Sequence, residues 1–151
     1  MNNIGHKSPG AKNAPGKTKR GRPAHNRIND RDFLVIGGAY SVDKPWRLQN
    51  GYNWFSDEQL TDAEMSGIKE KIRIHNYRED IILAHTCPYD NRPVECFISG
   101  VDETSVDTSM ERFLEEVGDM TEYNEFYCGH WHIDKQDSKI RFLFRDIVMV
   151  E

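Results

Sequence analysis

Apolar residues fall into short runs separated by long polar stretches: Phe33-Leu34-Val35-Ile36, Ile81-Ile82-Leu83-Ala84, Phe126-Tyr127-Cys128, Ile140-Arg141-Phe142-Leu143-Phe144 and Ile147-Val148-Met149-Val150. Runs of this length, bounded by Gly, Pro or polar clusters, mark buried strands. The pattern predicts strands over 33–36, 80–85, 126–130, 140–144 and 147–150, with a turn over Lys135–Ser138. Two stretches between them carry a helical period instead. Thr61-Asp62-Ala63-Glu64 has the form of a capping box, and Ala63, Ile68 and Ile72 give part of an apolar stripe. That predicts a surface helix over about 62–75. Met110, Phe113, Leu114 and Val117 fall at i, i+3, i+4 and i+7. They predict a helix over 109–117, opened by a second capping box at Thr108–Glu111 and stopped by Gly118.

The connections add detail. Gly37-Gly38 closes the first strand and predicts a tight turn or a close backbone approach. Residues 40–45 read as a loop. Trp46, Tyr52, Trp54 and Phe55 alternate with polar residues, as a packing cluster would. Residues 86–104, with Pro88 and Pro93, form a long connection, a type of segment that often carries function.

Composition fits one domain with a core and a polar appendage: 151 residues, 37% apolar and 30% charged. No run of about 18 apolar residues exists to span a membrane, and the N-terminus has no apolar signal segment. Cys87, Cys96 and Cys128 lack Cys-x-x-Cys spacing, which points to reduced thiols and a cytoplasmic location. Cys128 reads as a small buried apolar side chain. The net charge of −5 hides an asymmetry, because residues 1–31 hold eight of the 20 Lys and Arg and only one of the 25 acids. Residues 1–28 therefore read as a flexible basic arm ahead of a domain over 29–151. Within the arm, Arg20-Gly21-Arg22-Pro23 resembles the core of an AT-hook, and arginine suits a narrow minor groove. The acidic body argues against nucleic acid as the main partner, while the arm permits it.

The candidate chemistry lies where apolar strands end in histidine. His85 follows the 81–84 run and precedes Pro88. His130 and His132 follow Phe126–Cys128 as Gly-His-x-His. Imidazoles at i and i+2 share a face if the backbone stays extended, and neutral imidazoles are common metal ligands. A third histidine at another strand end strengthens a metal reading over three ordinary histidines. Asp43 and Arg47 are candidates for the mouth of such a site, against the plainer reading of a surface ion pair.

Three segments together resemble the calcineurin-like metallophosphoesterases. These are Gly37-Gly38-Ala39-Tyr40-Ser41-Val42-Asp43-Lys44, then Ile82-Leu83-Ala84-His85-Thr86-Cys87-Pro88, then Tyr127-Cys128-Gly129-His130-Trp131-His132. Their order agrees with that family over about residues 30–151, with a helix between the last two. The resemblance implies an α/β fold, the C-terminal half of a metallophosphoesterase-type sandwich. It implies two divalent ions (Mn, Fe, Zn or Ni) that activate a water to hydrolyse phosphate esters. On it, His85 and His130 would ligate the second metal and His132 the first. The family's Asp-x-His, Gly-Asp-x-x-Asp and Gly-Asn-His motifs do not occur here. The bridging carboxylate and half of the ligands are thus missing, and no catalytic residue is assigned. The expectation is a partial site, inactive alone, that needs a complementing N-terminal half. The competing expectation is a non-catalytic, phosphoesterase-like fragment whose basic arm binds nucleic acid or an acidic partner.

Overall fold

The computed structural model describes residues 24–55, 58–97 and 103–150. The Arg20–Pro23 motif and most of the basic arm lie outside them. The described residues form a six-stranded mixed sheet with three helices, in the order β1 (Ala24–Ile28), β2 (Arg31–Ile36), α1 (Lys44–Gln49), α2 (Asp62–Ile74), β3 (Ile81–Ala84), α3 (Ser109–Met120), β4 (Glu125–Cys128), β5 (Lys135–Asp137) and β6 (Ile140–Phe142). The sheet order is β1-β2-β3-β4-β6-β5. β2, β3, β4 and β6 run parallel, and β1 and β5 pair antiparallel at the two edges.

The in–out alternation of each parallel strand feeds two interiors. Leu34, Ile36, Ile82, Phe126, Cys128, Ile140 and Phe142 face α2 and α3, which contribute Ile68, Ile72, Met110, Phe113, Leu114 and Val117. Phe33, Ile81 and Tyr127 face the other way, against Leu83, Leu143, Val148 and Val150. Among the described residues, no helix contributes to that second cluster. The C-terminal segment after β6 supplies its cover, while Ile147 (97% exposed) and Met149 (84%) point to solvent. Residues 147–150 thus alternate as a strand would but pair with no strand among the described residues, which corrects the strand expected there.

Other expectations hold or shift for local reasons. α2 begins at the capping box as expected: Thr61 accepts from the Glu64 amide and Glu64 reaches back to the Thr61 amide. α3 lacks the second box. Glu111 turns inward to accept from Thr86 Oγ1 at 2.8 Å, and Asp107 caps the Ser109 amide at 2.8 Å. α3 also runs past Gly118 to Met120. Residues 24–28, assigned to the arm, are strand β1, joined to β2 by Asn29 and Asp30 with φ of 50° and 62°. Asn and Asp tolerate that left-handed turn, which closes a two-residue hairpin. The loop expected over 40–45 ends in helix α1, with Pro45 in its first turn. The aromatic cluster does not enter the core: Trp46 stacks on Tyr52 at 5.1 Å, and both stay over half exposed. Lys135–Asp137 forms β5, so the turn expected there falls at 138–139.

Candidate functional site

The C-terminal ends of the parallel strands lie together, and backbone bonds carry the ladder one step beyond them. The His85 amide donates to Ile36 O at 3.2 Å, and the Gly129 amide donates to His85 O at 3.1 Å. This sets His85 beside His130, with ring centroids 5.1 Å apart at 64°. After β4 the backbone coils. His130 and His132 have φ of 68° and 54°, and the Trp131 amide donates to Gly129 O at 2.8 Å. The extended His-x-His geometry is therefore not adopted. Both rings still reach one cavity of about 500 Å³. His132 stacks on Phe144 at 4.9 Å, and Trp131 stacks on Phe97 at 5.5 Å.

The loop after β2 forms the facing wall. Gly38 has φ of +108°, and a Cβ there would meet Glu58 O at 3.0 Å. Only glycine fits that approach without strain. The Ala39 amide also donates to Glu58 O, at 3.1 Å. Beyond this anchor, Asp43 and Arg47 border the same cavity as His130 and His132. They are bound to each other, Arg47 Nε to Asp43 Oδ2 at 2.6 Å. Arg92 adds a second positive charge to the lining. Its guanidinium lies 3.7 Å over the Tyr89 ring, which Arg112 also approaches at 4.0 Å. His85 stands beside His130 but does not line the cavity.

Burial pushes the His130 imidazole down to about 4, and neighbouring His85 and His132 push the same way. It is therefore neutral near pH 7, with a lone pair to offer. Desolvation also lowers His85, against a nearby Glu58 that raises it. Burial raises the Glu111 carboxyl, opposed by its bond from Thr86. Burial pushes the Cys87 thiol up to about 12 and raises Cys128 as well. Cys96 is exposed at the cavity.

Among the described residues, no three His, Cys, Asp or Glu side chains converge closely enough to hold a metal ion. Three of the nearby carboxylates have other partners. Asp43 holds Arg47, Glu111 holds Thr86, and Asp107 takes bonds from Ser109 and Gln59. The donor set of these residues alone does not fit a two-metal centre, which needs carboxylate as well as imidazole. The sequence motifs located His85, His130, His132, Asp43 and Arg47. They did not locate Arg92, Glu58, Glu111 or the Phe97–Trp131 wall, because no local spacing marks residues that meet only through folding.

Compared with family models, curated proteins and solved structures, the chain matches none. No helix among the described residues is long and apolar enough to cross a membrane.

Proposed function

We propose that this chain is the C-terminal half of a metallophosphoesterase-type sandwich, contributing half of a metal-dependent site that hydrolyses phosphate esters. The observation that carries this reading is the grouping of His85, His130 and His132 at adjacent parallel strand ends, beside a cavity bordered by Arg47 and Arg92. In the complete site, two divalent ions would supply Lewis acidity and a metal-bound nucleophile. This chain's own residues do simpler work. The imidazoles offer neutral nitrogen donors, and burial keeps His130 in that form. Arg47 and Arg92 place positive charge where an anionic ester would sit, as guanidinium groups suit phosphate. The missing carboxylates are assigned to a complementing N-terminal half, which would also cover the sheet face that no helix among the described residues packs against.

The test is turnover of a chromogenic phosphomonoester with and without Mn²⁺, with His132→Ala run beside it. The chain alone is expected to show no activity above that variant. Turnover is expected when a polypeptide bearing the Asp-x-His, Gly-Asp-x-x-Asp and Gly-Asn-His motifs is added. Metal-dependent turnover by the chain alone, lost in His132→Ala, would overturn the half-site reading. The charge asymmetry of residues 1–31 favours a second reading, a non-catalytic module that docks nucleic acid or an acidic partner through its arm. It predicts salt-sensitive DNA binding that disappears on deleting residues 1–23. Binding that survives the deletion would remove the arm from the explanation.

A further inference from the structure

A second histidine cluster sits away from the cavity, at the β1 edge of the sheet. Asn26, Arg27 and Ile28 of β1 are exposed, and His25 is half-buried. The His25 ring stacks on His75, which follows α2, with centroids 3.6 Å apart at 17°. His25 Nδ1 lies 3.1 Å from Glu79 Oε2, and Nε2 lies 3.8 Å from Asp32 Oδ1. The Glu79 side chain is only 1% exposed. Neither of its oxygens has a well-formed hydrogen bond, and neither does His25 Nδ1. Glu79 also borders a polar cavity of about 310 Å³.

The charged neighbours leave Glu79 few ways to be neutralised. β1 brings His25 and Arg27, and β2 brings Asp32. The turn after α2 brings His75 and Arg78, the start of β3 brings Asp80, and Glu122 precedes β4. Arg27 pairs with Asp32 at 3.5 Å, and Arg78 with Glu122 at 3.3 Å. Neither arginine pairs with Glu79, so the imidazoles and a proton are what remain. A neutral imidazole has one N–H and can serve only one of the two carboxylates that His25 faces, whereas an imidazolium serves both. A proton on Glu79 itself relieves the same conflict. With that proton gone, a buried carboxylate lacks full compensation, which is costly.

We propose that Glu79, enclosed by His25 and His75, is a proton-binding latch: a proton on its buried carboxyl holds β1 on the sheet, and loss of that proton loosens β1 from β2. The direction follows from linkage. Burial pushes Glu79 up to about 7, against a downward pull from His75, with Asp32 and Asp80 pushing up. The docked strand therefore keeps a proton that an opened strand gives up at the ordinary carboxylate value. Docking is firmest below about pH 5, weakens as pH rises to about 7, and levels off above it. Within that window the opening equilibrium rises by up to about tenfold per pH unit. An opened β1 bares the edge of β2, which can then accept another strand.

The test uses the full chain. NMR titration of the Glu79 carboxyl carbon is expected to give a midpoint near 7; a midpoint near the ordinary 4.5 would overturn the latch. Amide exchange of residues 25–28 and 31–35, corrected for intrinsic rates, is followed from pH 5 to 8.5 in wild type and Glu79→Gln. Wild type is expected to open more as pH rises, and the variant to show a flat response. Equal pH responses in the two would overturn the latch as well. If the variant does not fold, the wild-type titration decides alone.

Discussion

Phe126 and Tyr127 are neighbours on β4, yet they enter two different interiors. Phe126 is fully buried beneath α2 and α3, within a cluster that spans every parallel strand. Among the described residues, Tyr127 is buried with Phe33 and Ile81 alone, under side chains from the segment after β6. The same strand geometry thus supports one thick interior and one thin one. Right-handed crossovers account for the difference. β2, β3 and β4 follow one another in the same direction across the sheet, so α2 and α3 must lie on one face. The other face is left to whatever the remaining chain, or a partner, can bring.

That contrast can be broken by truncation. Phe126→Ala is expected to cost about 3–5 kcal/mol in denaturant unfolding, the range for a large aromatic in a close-packed core. Tyr127→Ala should cost less, about 2 kcal/mol, because its surroundings are shallower. Equal losses would mean that the second face is packed as tightly as the first. Adding a complementing half that covers this face should raise the Tyr127→Ala loss toward the Phe126→Ala value. Val148→Ala is expected to be smallest, about 1 kcal/mol, since its side chain is only partly buried.

The histidine clusters sharpen the contrast through pH. Glu79, raised to about 7, favours the folded state below its unfolded value, and that stability is lost as pH rises through 7. His130, lowered to about 4, works in the opposite sense. Its contribution is present above its unfolded value of about 6.5 and is lost as pH falls toward 4. Unfolding measured from pH 4 to 8 should therefore lose its alkaline fall in Glu79→Gln and its acid fall in His130→Gln. A shared fall in both variants would show that the two clusters are not independent.

What the sequence made legible follows from the range of the signal. The stripe Met110–Val117, the Thr61 capping box and the runs at 33–36 and 81–84 are local patterns that match local structure. β1 was illegible because an edge strand with one half-buried histidine shows no apolar alternation; only Asn29-Asp30 marks the hairpin. Residues 147–150 misled for the converse reason, since four apolar residues read as a strand whether or not a neighbour exists to pair with them. At the site, the motifs brought His130 and His132 to one cavity but by a coiled path, because left-handed φ values are not written in composition. Arg92 and Glu111 depend on contacts between distant segments and left no mark.

The three thiols differ in a way that offers a tool. Cys87 and Cys128 are buried, with their protons held tightly, whereas Cys96 stands open at the cavity that His130 and His132 border. A maleimide dye or spin label should therefore attach at one position without any engineered cysteine. The protein carries its own reporter at the rim of its candidate site, placed to register whatever enters.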